Sequence, residues 1–544
     1  MPLAQADKLI AAAENAGVEL FHSVDGDPYA SVRVHTHLET WSVKSRKFRQ
    51  WLVFEYYQEE SRAPNTQALT VALNTLAAKA CYEGSEHAVA IRTASLGGTI
   101  YIDLANQDRQ VVEITSSGWQ VLNESPVRFV RRRGMRPLPV PVHGGSLSSL
   151  RQFVNVANDS DWVLMVSWLI ASIRPSGPYP LLVLHGTQGS AKSTTARLLR
   201  ELVDPNTAPI RSEPKDPRDL MIAASNGWVI ALDNLSHVPA WLSDALCRLA
   251  TGGGFATREL FTDSEEIIFD AMRPMIITGI EELATRGDLL DRSLVLYLPA
   301  IAEQNRRAEH NLWEDFHRAR PAILGALVDA VSLALRNLST TQIDRLPRMA
   351  DFAFWATAAE ESFTVKGGFW AAYQGNQMDA NQVALEGSLV ASAVEKLVIQ
   401  QQTFSGTCSE LLDLLGGLIG DEKRKDRDWP KNAQALSGRL RRLAPNLHKA
   451  GLEVEFRRDQ EAGRRRTVSI TKLGERSSRS SGPSEVPCFQ QEQRTMSDDP
   501  SHCPIETSSV ASPNGIRNMD DVDASGRSFT RLFPEPAKRE TWEF

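Results

Sequence analysis

The residues best suited to chemistry form a glycine-rich loop, GTQGSAKST, at Gly186–Thr194. An apolar run, Leu181–Leu184, precedes the loop and a helical pattern follows it. This strand–loop–helix context is the one a phosphate-binding loop requires, because backbone N–H groups and the amino end of the helix both attract phosphate. The motif predicts that Lys192 reaches the β- and γ-phosphates of ATP and that the Ser193 hydroxyl binds Mg²⁺.

One position departs from the usual pattern G-x-x-x-x-G-K-[ST], since Ala191 stands where the second glycine belongs. A methyl group is a modest intrusion and the context is intact, so the motif still predicts nucleotide binding. An ordinary glycine-rich turn between a strand and a helix is the alternative. The predicted nucleotide-binding residues are Gly186, Thr187, Gln188, Gly189, Ser190, Ala191, Lys192, Ser193 and Thr194.

A second candidate motif, which carries an acidic residue, follows about forty residues later, where the apolar run in WVIALDNLS ends at Asp233. This pattern predicts a strand whose carboxylate holds the Mg²⁺ shell; a buried strand capped by a polar turn is the alternative. Asn234 stands where a carboxylate would polarise the attacking water. Because asparagine orients water but accepts no proton, either hydrolysis is slow or another acid, Glu281 or Glu282, is the base.

Two further candidates follow the next strands. MIITG places Thr278 at the end of a strand, which suits a residue that senses the γ-phosphate. Arg292 begins the strand after that, where an arginine finger would reach the nucleotide of a neighbouring subunit. Arg286 is its rival, and a surface salt bridge is the alternative for either arginine.

In this order, these motifs resemble the superfamily 3 helicase domain of phage, plasmid and poxvirus-type primase–helicases, over about residues 150–300. The segment LATGGGFATRELFTDSEEIIF, Leu249–Phe269, resembles the one that this family folds into a hairpin touching DNA in a central channel. The resemblance implies that Thr251–Gly254 supply the turn and that Arg258 contacts a DNA phosphate. A plain surface loop is the alternative.

The resemblance also implies an AAA+-like parallel sheet and a ring-shaped homo-oligomer, expected to be a hexamer, with single-stranded DNA in its pore. We identify no primase chemistry in the sequence. A separate primase is therefore an expected partner, or that activity has been lost.

A basic region near the carboxyl terminus predicts a second DNA contact. Between Pro430 and Lys472, eleven Lys and Arg residues stand against four Asp and Glu residues. Helical patterns followed by a basic hairpin predict a winged helix that contacts duplex DNA through phosphates. A solvated basic face without a partner is the alternative. The predicted contacts are Arg439, Arg441 and Arg442 on a helix, and Arg464, Arg465 and Arg466 on the wing.

The patterns of helices and strands predict a multidomain α/β chain. Helices at the amino end and at 66–84 accompany short strands at 29–35, 88–94, 99–105 and 111–122, which predicts an α+β region. Alternating strands and helices up to about 300 predict a parallel sheet. The predicted divisions are 1–145 (α+β, role unknown), 146–300 (P-loop ATPase), 301–402 (helical), 403–473 (winged-helix-like) and 474–544 (a disordered tail).

Composition excludes several classes of protein. The net charge of −7 over 544 residues excludes a chain-wide basic coat, so nucleic acid must bind to local patches. The five cysteines contain no C-x-x-C pair, which excludes a disulfide scaffold and a compact cysteine-based zinc site. The longest apolar stretch, Trp162–Ile173, is far shorter than the roughly 20 residues that span a bilayer, so we expect a buried helix and no membrane partner. We expect a cytoplasmic protein.

The leading hypothesis is an ATP-hydrolysing DNA motor or loader. Two others stay open: a slow ATP-gated DNA-binding switch without unwinding, and a protein-remodelling ATPase whose basic carboxyl-terminal region is incidental. DNA-stimulated ATP turnover separates them.

Overall fold

The amino-terminal region packs three helices against a small sheet. The computed structural model describes residues 4–35, 37–258, 266–269, 271–279, 286–426, 429–458 and 466–473. The sheet order is β3-β2-β1-β4. The first elements are α1 (Gln5–Asn15), β1 (Glu19–His22), β2 (Pro28–Val34), β3 (His37–Ser42), α2 (Arg46–Glu60), α3 (Thr66–Tyr82) and β4 (Ser85–Glu86). The predicted helices at both positions and the strand near residue 30 are confirmed, whereas α2 was not predicted.

A second sheet follows, an antiparallel meander in the order β6-β7-β8-β9. The predicted single strand at 88–94 is wrong: it divides at Arg92 into two strands of different sheets, because β5 pairs with β10 and β6 pairs with β7. The strand prediction at 99–105 is confirmed, whereas the one at 111–122 is two strands, β8 and β9, joined by a tight turn. The elements are β5 (Val89–Ala90), β6 (Thr93–Leu96), β7 (Thr99–Asp103), β8 (Val111–Thr115), β9 (Gly118–Leu122) and β10 (Arg128–Phe129).

The central sheet is entirely parallel, in the order β12-β15-β11-β16. Its strands are apolar on both faces because helices cover both faces. The predicted buried helix is α4, in which Trp162–Ser172 are all buried. The elements are a 3₁₀ turn (Leu147–Phe153), α4 (Asp159–Ser172), β11 (Leu181–His185), α5 (Lys192–Val203), α6 (Pro217–Asn226), β12 (Ile230–Leu235), α7 (Ala240–Thr251), β13 (Phe255–Arg258), β14 (Glu266–Phe269), β15 (Met275–Gly279), α8 (Gly287–Leu290) and β16 (Ser293–Tyr297).

Helices follow the sheet, as the sequence predicts: α9 (Glu309–Asn337), α10 (Ala350–Ala359), α11 (Gly368–Glu386) and α12 (Leu389–Gln401), with short 3₁₀ turns between them. Among the described residues one helical stretch, Glu309–Thr340, is long and apolar enough to cross a membrane by composition, and 56% of that window is buried. Such a score is also typical of a core helix, and Leu327 and Val331 of α9 pack in the largest apolar cluster.

The largest core crosses the predicted boundary at residue 145. Ile100, Ile102, Val112 and Ile114 of the meander share one apolar cluster with α4, α5, α9 and α10. A buried ion pair also joins the two regions, because Arg92 Nε lies 3.1 Å from Asp204 Oδ1 and both side chains are fully buried. The other oxygen of Asp204 accepts from the backbone N–H groups of Trp228 and Val229, at 2.9 and 3.1 Å. The meander therefore packs as part of the central core.

The carboxyl-terminal region forms a small sheet of order β17-β19-β18 with helices on it. Its elements are β17 (Thr403–Thr407), α13 (Cys408–Ile419), α14 (Asp421–Arg424), α15 (Ala433–Lys449), β18 (Leu452–Arg458) and β19 (Arg466–Lys472). The predicted helices and hairpin are present. The carboxyl end of α15 faces the core, since Asn381 Nδ2 donates to the Asn446 carbonyl at 3.1 Å and Lys449 pairs with Asp291. The predicted tail at 474–544 lies outside the described residues.

Candidate functional site

Three of the predicted residues meet at one edge of the central sheet. Since β11, β12 and β15 are parallel neighbours, their carboxyl ends lie side by side. The glycine-rich loop follows β11 and leads to Ser193 in the first turn of α5. Asp233 lies near the end of β12, and Thr278 lies near the end of β15. The fold thus brings together residues that are up to ninety positions apart in the chain.

Asp233 is the centre of a direct hydrogen-bond network. The Ser193 hydroxyl donates to Asp233 Oδ1 at 2.8 Å, and the Thr278 hydroxyl donates to the same oxygen at 2.5 Å. Thr278 is 1% exposed, and its hydroxyl also accepts from the Asn234 N–H at 3.0 Å. The second oxygen of Asp233 has no hydrogen-bond partner among the described residues. These contacts fix the carboxylate while leaving one oxygen available.

Lys192 is folded onto the loop that it follows. Its ammonium group donates to the carbonyl oxygens of Gly186 at 2.7 Å and Thr187 at 2.8 Å. Partial burial lowers the pKa of Lys192, and nearby Asp233 opposes that shift. The loop therefore encloses a positive charge beside the amino end of α5, an arrangement that favours anions.

The backbone of the loop explains two of its small residues. Gly186 has φ +150°, and a Cβ there would lie 2.2 Å from the Leu298 carbonyl oxygen, so no larger residue fits. Ala191, the departure from the usual motif, has φ +62°. A left-handed conformation costs a residue with a Cβ roughly 1–2 kcal/mol. Ala191 therefore adopts, with some strain, the left-handed backbone conformation that glycine would adopt at this position.

Asn234 also has a left-handed backbone, with φ +56°. The pairing of β12 with β15 shifts register between Leu232 and Leu235, so Asp233 and Asn234 form an irregularity at the sheet edge. Asparagine adopts this conformation more readily than most residues. The same position therefore disfavours glutamate on backbone grounds.

Two residues of the loop's surroundings were not predicted. The Asn155 side chain donates to the carbonyls of Ser190 at 3.1 Å and Pro299 at 2.6 Å, which joins the loop to the end of β16. Arg306 lies against the loop, with Nη2 3.7 Å from where a Cβ of Gly189 would be. Arg306 is exposed and forms no ion pair within the described part of the chain. In the sequence, the only sign that an arginine lies against the loop is the basic pair Arg306–Arg307, after the last strand of the central sheet.

Arg292, one of the two candidate arginine fingers, lies at the end of the sheet opposite the loop. Arg292 directly precedes β16, whose first residue is level with Leu181 at the start of β11. The five residues of β11 separate that level from the loop by about 16 Å, at ~3.3 Å per residue. Arg292 Nη1 donates to the Asp288 carbonyl at 2.7 Å, and Arg286 pairs with Asp244 at 3.1 Å. Arg292 therefore lies far from Asp233 of its own chain, whereas Arg286 also donates to the Ala240 carbonyl at the start of α7, at 3.2 Å.

The predicted hairpin is present in part. β13 and β14 are antiparallel, with Phe255 opposite Phe269 and Arg258 opposite Glu266. The expected turn at Thr251–Gly254 is wrong: Thr251 ends α7, and the three glycines lead into β13 with positive φ angles. Residues 259–265, which join the strands, and the candidate bases Glu281 and Glu282 lie outside the described residues.

The predicted DNA contacts in the carboxyl-terminal region differ in their surroundings. The Arg441 guanidinium stacks 4.0 Å from the centre of the Phe456 ring, which joins α15 to β18. Arg442 on α15 and Arg466 at the start of β19 are exposed. Arg439 is half-buried and has an interaction of its own. Arg464 and Arg465 lie outside the described residues.

Comparison with protein families gives two adjacent matches. Residues 147–381 match the family described as actinomycete integrative conjugative element replication protein, and residues 390–484 match the AICE RepA C-terminal domain. Over these segments the chain is similar to replication proteins of a mobile element. The matches do not name superfamily 3. A comparison with curated proteins found no match.

Solved structures of the NrS-1 C-terminal region, in apo form, also align with the chain. One has 12% identity and a TM-score of 0.39, covering 85% of this chain and 98% of that one. A second has 11% identity and a TM-score of 0.38, covering 86% and 100%.

Proposed function

We propose that this chain, which is similar over residues 147–381 and 390–484 to mobile-element replication proteins, is an ATP-hydrolysing DNA motor or loader. The observation that carries the proposal is the convergence of Lys192, Ser193 and Asp233 at one edge of a parallel sheet. The family match supports a replication-related role. The ATPase activity rests on the geometry of the loop and of Asp233.

The residues at this edge fit a nucleoside triphosphate with Mg²⁺. In the proposed site Lys192 turns from the loop carbonyls to the phosphates, and the loop N–H groups bind phosphate oxygens. Ser193 and the free oxygen of Asp233 are hard oxygen donors, the kind that Mg²⁺ prefers. When bound, Mg²⁺ would supply neutralising charge on the phosphates.

We assign Thr278 to the orientation of Asp233, because both hydrogen-bonding functions of its hydroxyl are already engaged with Asp233 and Asn234. This role replaces the expected direct contact with the γ-phosphate. Asn234 is exposed and accepts no proton, so we propose slow hydrolysis unless Glu281 or Glu282 acts as the base. The strained backbone at Asn234 adds a cost to any Asn234→Glu variant.

The position of Arg292 fits an arginine finger only if it acts on the nucleotide of a neighbouring subunit. Because it lies about 16 Å from the loop along the sheet, an arginine finger at Arg292 would serve a neighbouring copy in a ring, a hexamer by the family resemblance. In that ring we propose that Arg258, on the hairpin of β13 and β14, contacts single-stranded DNA in the pore.

The carboxyl-terminal region supports a winged-helix-like duplex contact. A strand–helix–helix–helix–hairpin order with sheet order β17-β19-β18 has exposed Arg442 on α15 and exposed Arg466 on the hairpin. We propose that these residues contact phosphates, and that a separate primase supplies any priming activity.

Asn234 specifically favours a second candidate, an ATP-gated DNA-binding switch that turns over slowly. The two functions separate in steady-state ATP hydrolysis with and without single-stranded DNA, with the oligomer mass measured in parallel and Asp233→Asn as the control. A motor gives DNA-stimulated turnover that Asp233→Asn abolishes. A switch binds ATP and DNA with little turnover, and turnover indifferent to DNA favours a protein-remodelling ATPase.

A further inference from the structure

A cavity of about 240 Å³ lies next to the glycine-rich loop. It is bounded by the start of α4, the ends of β11 and β16, and one face of α11. His185, the last residue of β11, lines it and directly precedes Gly186 of the loop. The cavity is therefore adjacent to the proposed phosphate cradle.

One wall of the cavity holds a buried carboxylate without a partner. Asp161 is 8% exposed, and its carboxylate receives no hydrogen bond or ion pair from any residue that the structure describes. Asp379 of α11 lines the same cavity. Burial, together with the charge of Asp379, raises the pKa of Asp161 to about 6. A buried charge of this kind is costly unless a donor meets it, so Asp161 indicates a ligand that donates hydrogen bonds, with the exposed Asp379 at the same wall.

The rest of the lining is mostly aliphatic or aromatic, with the amides of Asn158 and Asn376 among it. Val183 and Val295 contribute aliphatic surface, and the rings of His185 and Tyr297 meet with their centres 5.4 Å apart. Burial, and then the charge of Lys192, lower the pKa of His185, which favours its neutral imidazole. Apolar walls with hydrogen-bond acceptors at one end suit a planar heterocycle that carries an amino group.

The size of the cavity limits the ligand further. Sites for drug-sized ligands are typically about 300–1,000 Å³, so 240 Å³ suits one ring system rather than a whole nucleotide. The phosphates of such a nucleotide would lie outside, in the loop that begins one residue after His185.

We propose that this cavity binds the adenine base of ATP, with its exocyclic amino group donating to the carboxylates of Asp161 and Asp379. This inference rests on the proposed nucleotide site and adds the basis of its selectivity. A purine with an oxygen at that position presents an acceptor to two carboxylates and is disfavoured. Asp161 and Asp379 are thus specificity-determining residues that touch the base.

The test compares affinities of the full chain for four probes in calorimetric titrations with Mg²⁺. They are ATP, GTP, purine riboside triphosphate (which lacks only the amino group) and inorganic tripolyphosphate (which lacks the nucleoside). Because a hydrogen bond to a charged group contributes roughly 1.5–3 kcal/mol, we expect Asp161→Asn to weaken ATP about 10- to 100-fold. Tripolyphosphate affinity should be unchanged. Asp159→Asn, on the exposed side of the same helix, is the matched control.

A second variant fills the cavity without touching its charges. Ala380 is 5% exposed and lines the cavity, so Ala380→Leu should weaken ATP at least tenfold and leave tripolyphosphate binding intact. Ala371→Leu, at an exposed position of α11, is its control. Asp161→Asn should fold at least as stably as the parent chain, because burial disfavours the carboxylate that it removes.

The outcomes separate the two proposals. Equal affinities for ATP and tripolyphosphate in the parent chain, or equal affinities for ATP and purine riboside triphosphate, overturn the adenine assignment alone. Tighter binding of GTP than of ATP, or Mg²⁺ binding without nucleotide that Asp161→Asn abolishes, also overturns it. A chain that binds neither ATP nor tripolyphosphate overturns both the cavity and the nucleotide site.

Discussion

The central sheet and the carboxyl-terminal region treat their charged residues in opposite ways. At the sheet edge Lys192 and Asp233 are held by hydrogen bonds from loop, strand and helix, and at the far end of α5 Asp204 is fully enclosed with Arg92. In the carboxyl-terminal region Arg442 and Arg466 are exposed, and neither forms a hydrogen bond or ion pair within the part of the chain that the structure describes. Charges held by hydrogen bonds fix the positions of atoms in a site, whereas exposed charges contribute mainly to the electrostatic potential at the surface.

The difference affects what a mutation does. A charge held inside a network is coupled to folding, because its loss leaves buried partners unsatisfied. An exposed charge acts on its partner through screened electrostatics, so its loss changes binding and salt dependence with little effect on stability. The variants below test that division, from the largest expected effect to the smallest.

Arg92→Ala should lower the free energy of unfolding by roughly 3–5 kcal/mol, because it leaves Asp204 charged, buried and short of one partner. Arg442→Ala, the exposed counterpart, should change it by less than about 0.5 kcal/mol. Urea denaturation followed by circular dichroism measures both. Similar midpoints for the two variants would break the contrast between held and exposed charges.

Replacing Arg442 and Arg466 together by Ser should reduce the slope of log affinity against log salt by about two on duplex DNA, at roughly 0.9 per phosphate contact. The affinity for ATP should be unchanged, since the loop lies in the central sheet. Fluorescence anisotropy with labelled duplex at several salt concentrations measures the slope. Lys366→Ser, at an exposed lysine of the helical region, is the control. An unaltered slope would show that these arginines do not contact DNA.

Thr278→Val should reduce turnover about tenfold at unchanged ATP affinity, since one hydrogen bond to a charged group is worth roughly 1.5 kcal/mol or more. Valine keeps the shape of the buried side chain and removes only the hydroxyl that holds Asp233. Steady-state kinetics separate kcat from KM. A loss in KM alone would instead indicate that Thr278 contributes to binding.

Ala191→Gly should raise the free energy of unfolding by about 1 kcal/mol or less, since glycine relieves the left-handed strain but adds freedom to the unfolded chain. The effect should be largest without nucleotide. Thermal denaturation measures it, and Ala196→Gly, inside α5, should do the reverse because glycine destabilises a helix interior. Destabilisation by Ala191→Gly would mean that the methyl group makes a favourable contact.

The sequence was informative wherever one segment carries its own pattern. The apolar runs before Gly186 and Asp233 predicted β11 and β12, and the buried run at Trp162–Ile173 predicted α4. The helix α2 was missed because its segment, WLVFEYY, is rich in residues that favour strands. The three glycines after Thr251 suggested a turn, but they only lead into the hairpin.

Contacts between distant segments that no motif marks were beyond prediction from one sequence. Nothing in the local pattern connects Asn155 with Ser190, or Asp161 with Asp379. The division of the strand at 88–94 depends on Arg92 turning inward to Asp204, more than a hundred residues away. Such pairs arise from the order of strands in the sheet and the packing of helices on it, which a single chain's periodicity does not determine.

The most direct test of the account is the affinity of the full chain for ATP with Mg²⁺, measured by calorimetric titration beside Lys192→Ala. Because Lys192 is the positive side chain of the loop and its contacts to phosphate are charge-assisted, we expect Lys192→Ala to weaken ATP at least 100-fold, from two such bonds of roughly 1.5 kcal/mol each. Lys215→Ala, an exposed lysine of the same region, should bind ATP as the parent chain does. An ATP affinity that Lys192→Ala leaves unchanged would contradict the assignment of the loop as a nucleotide site.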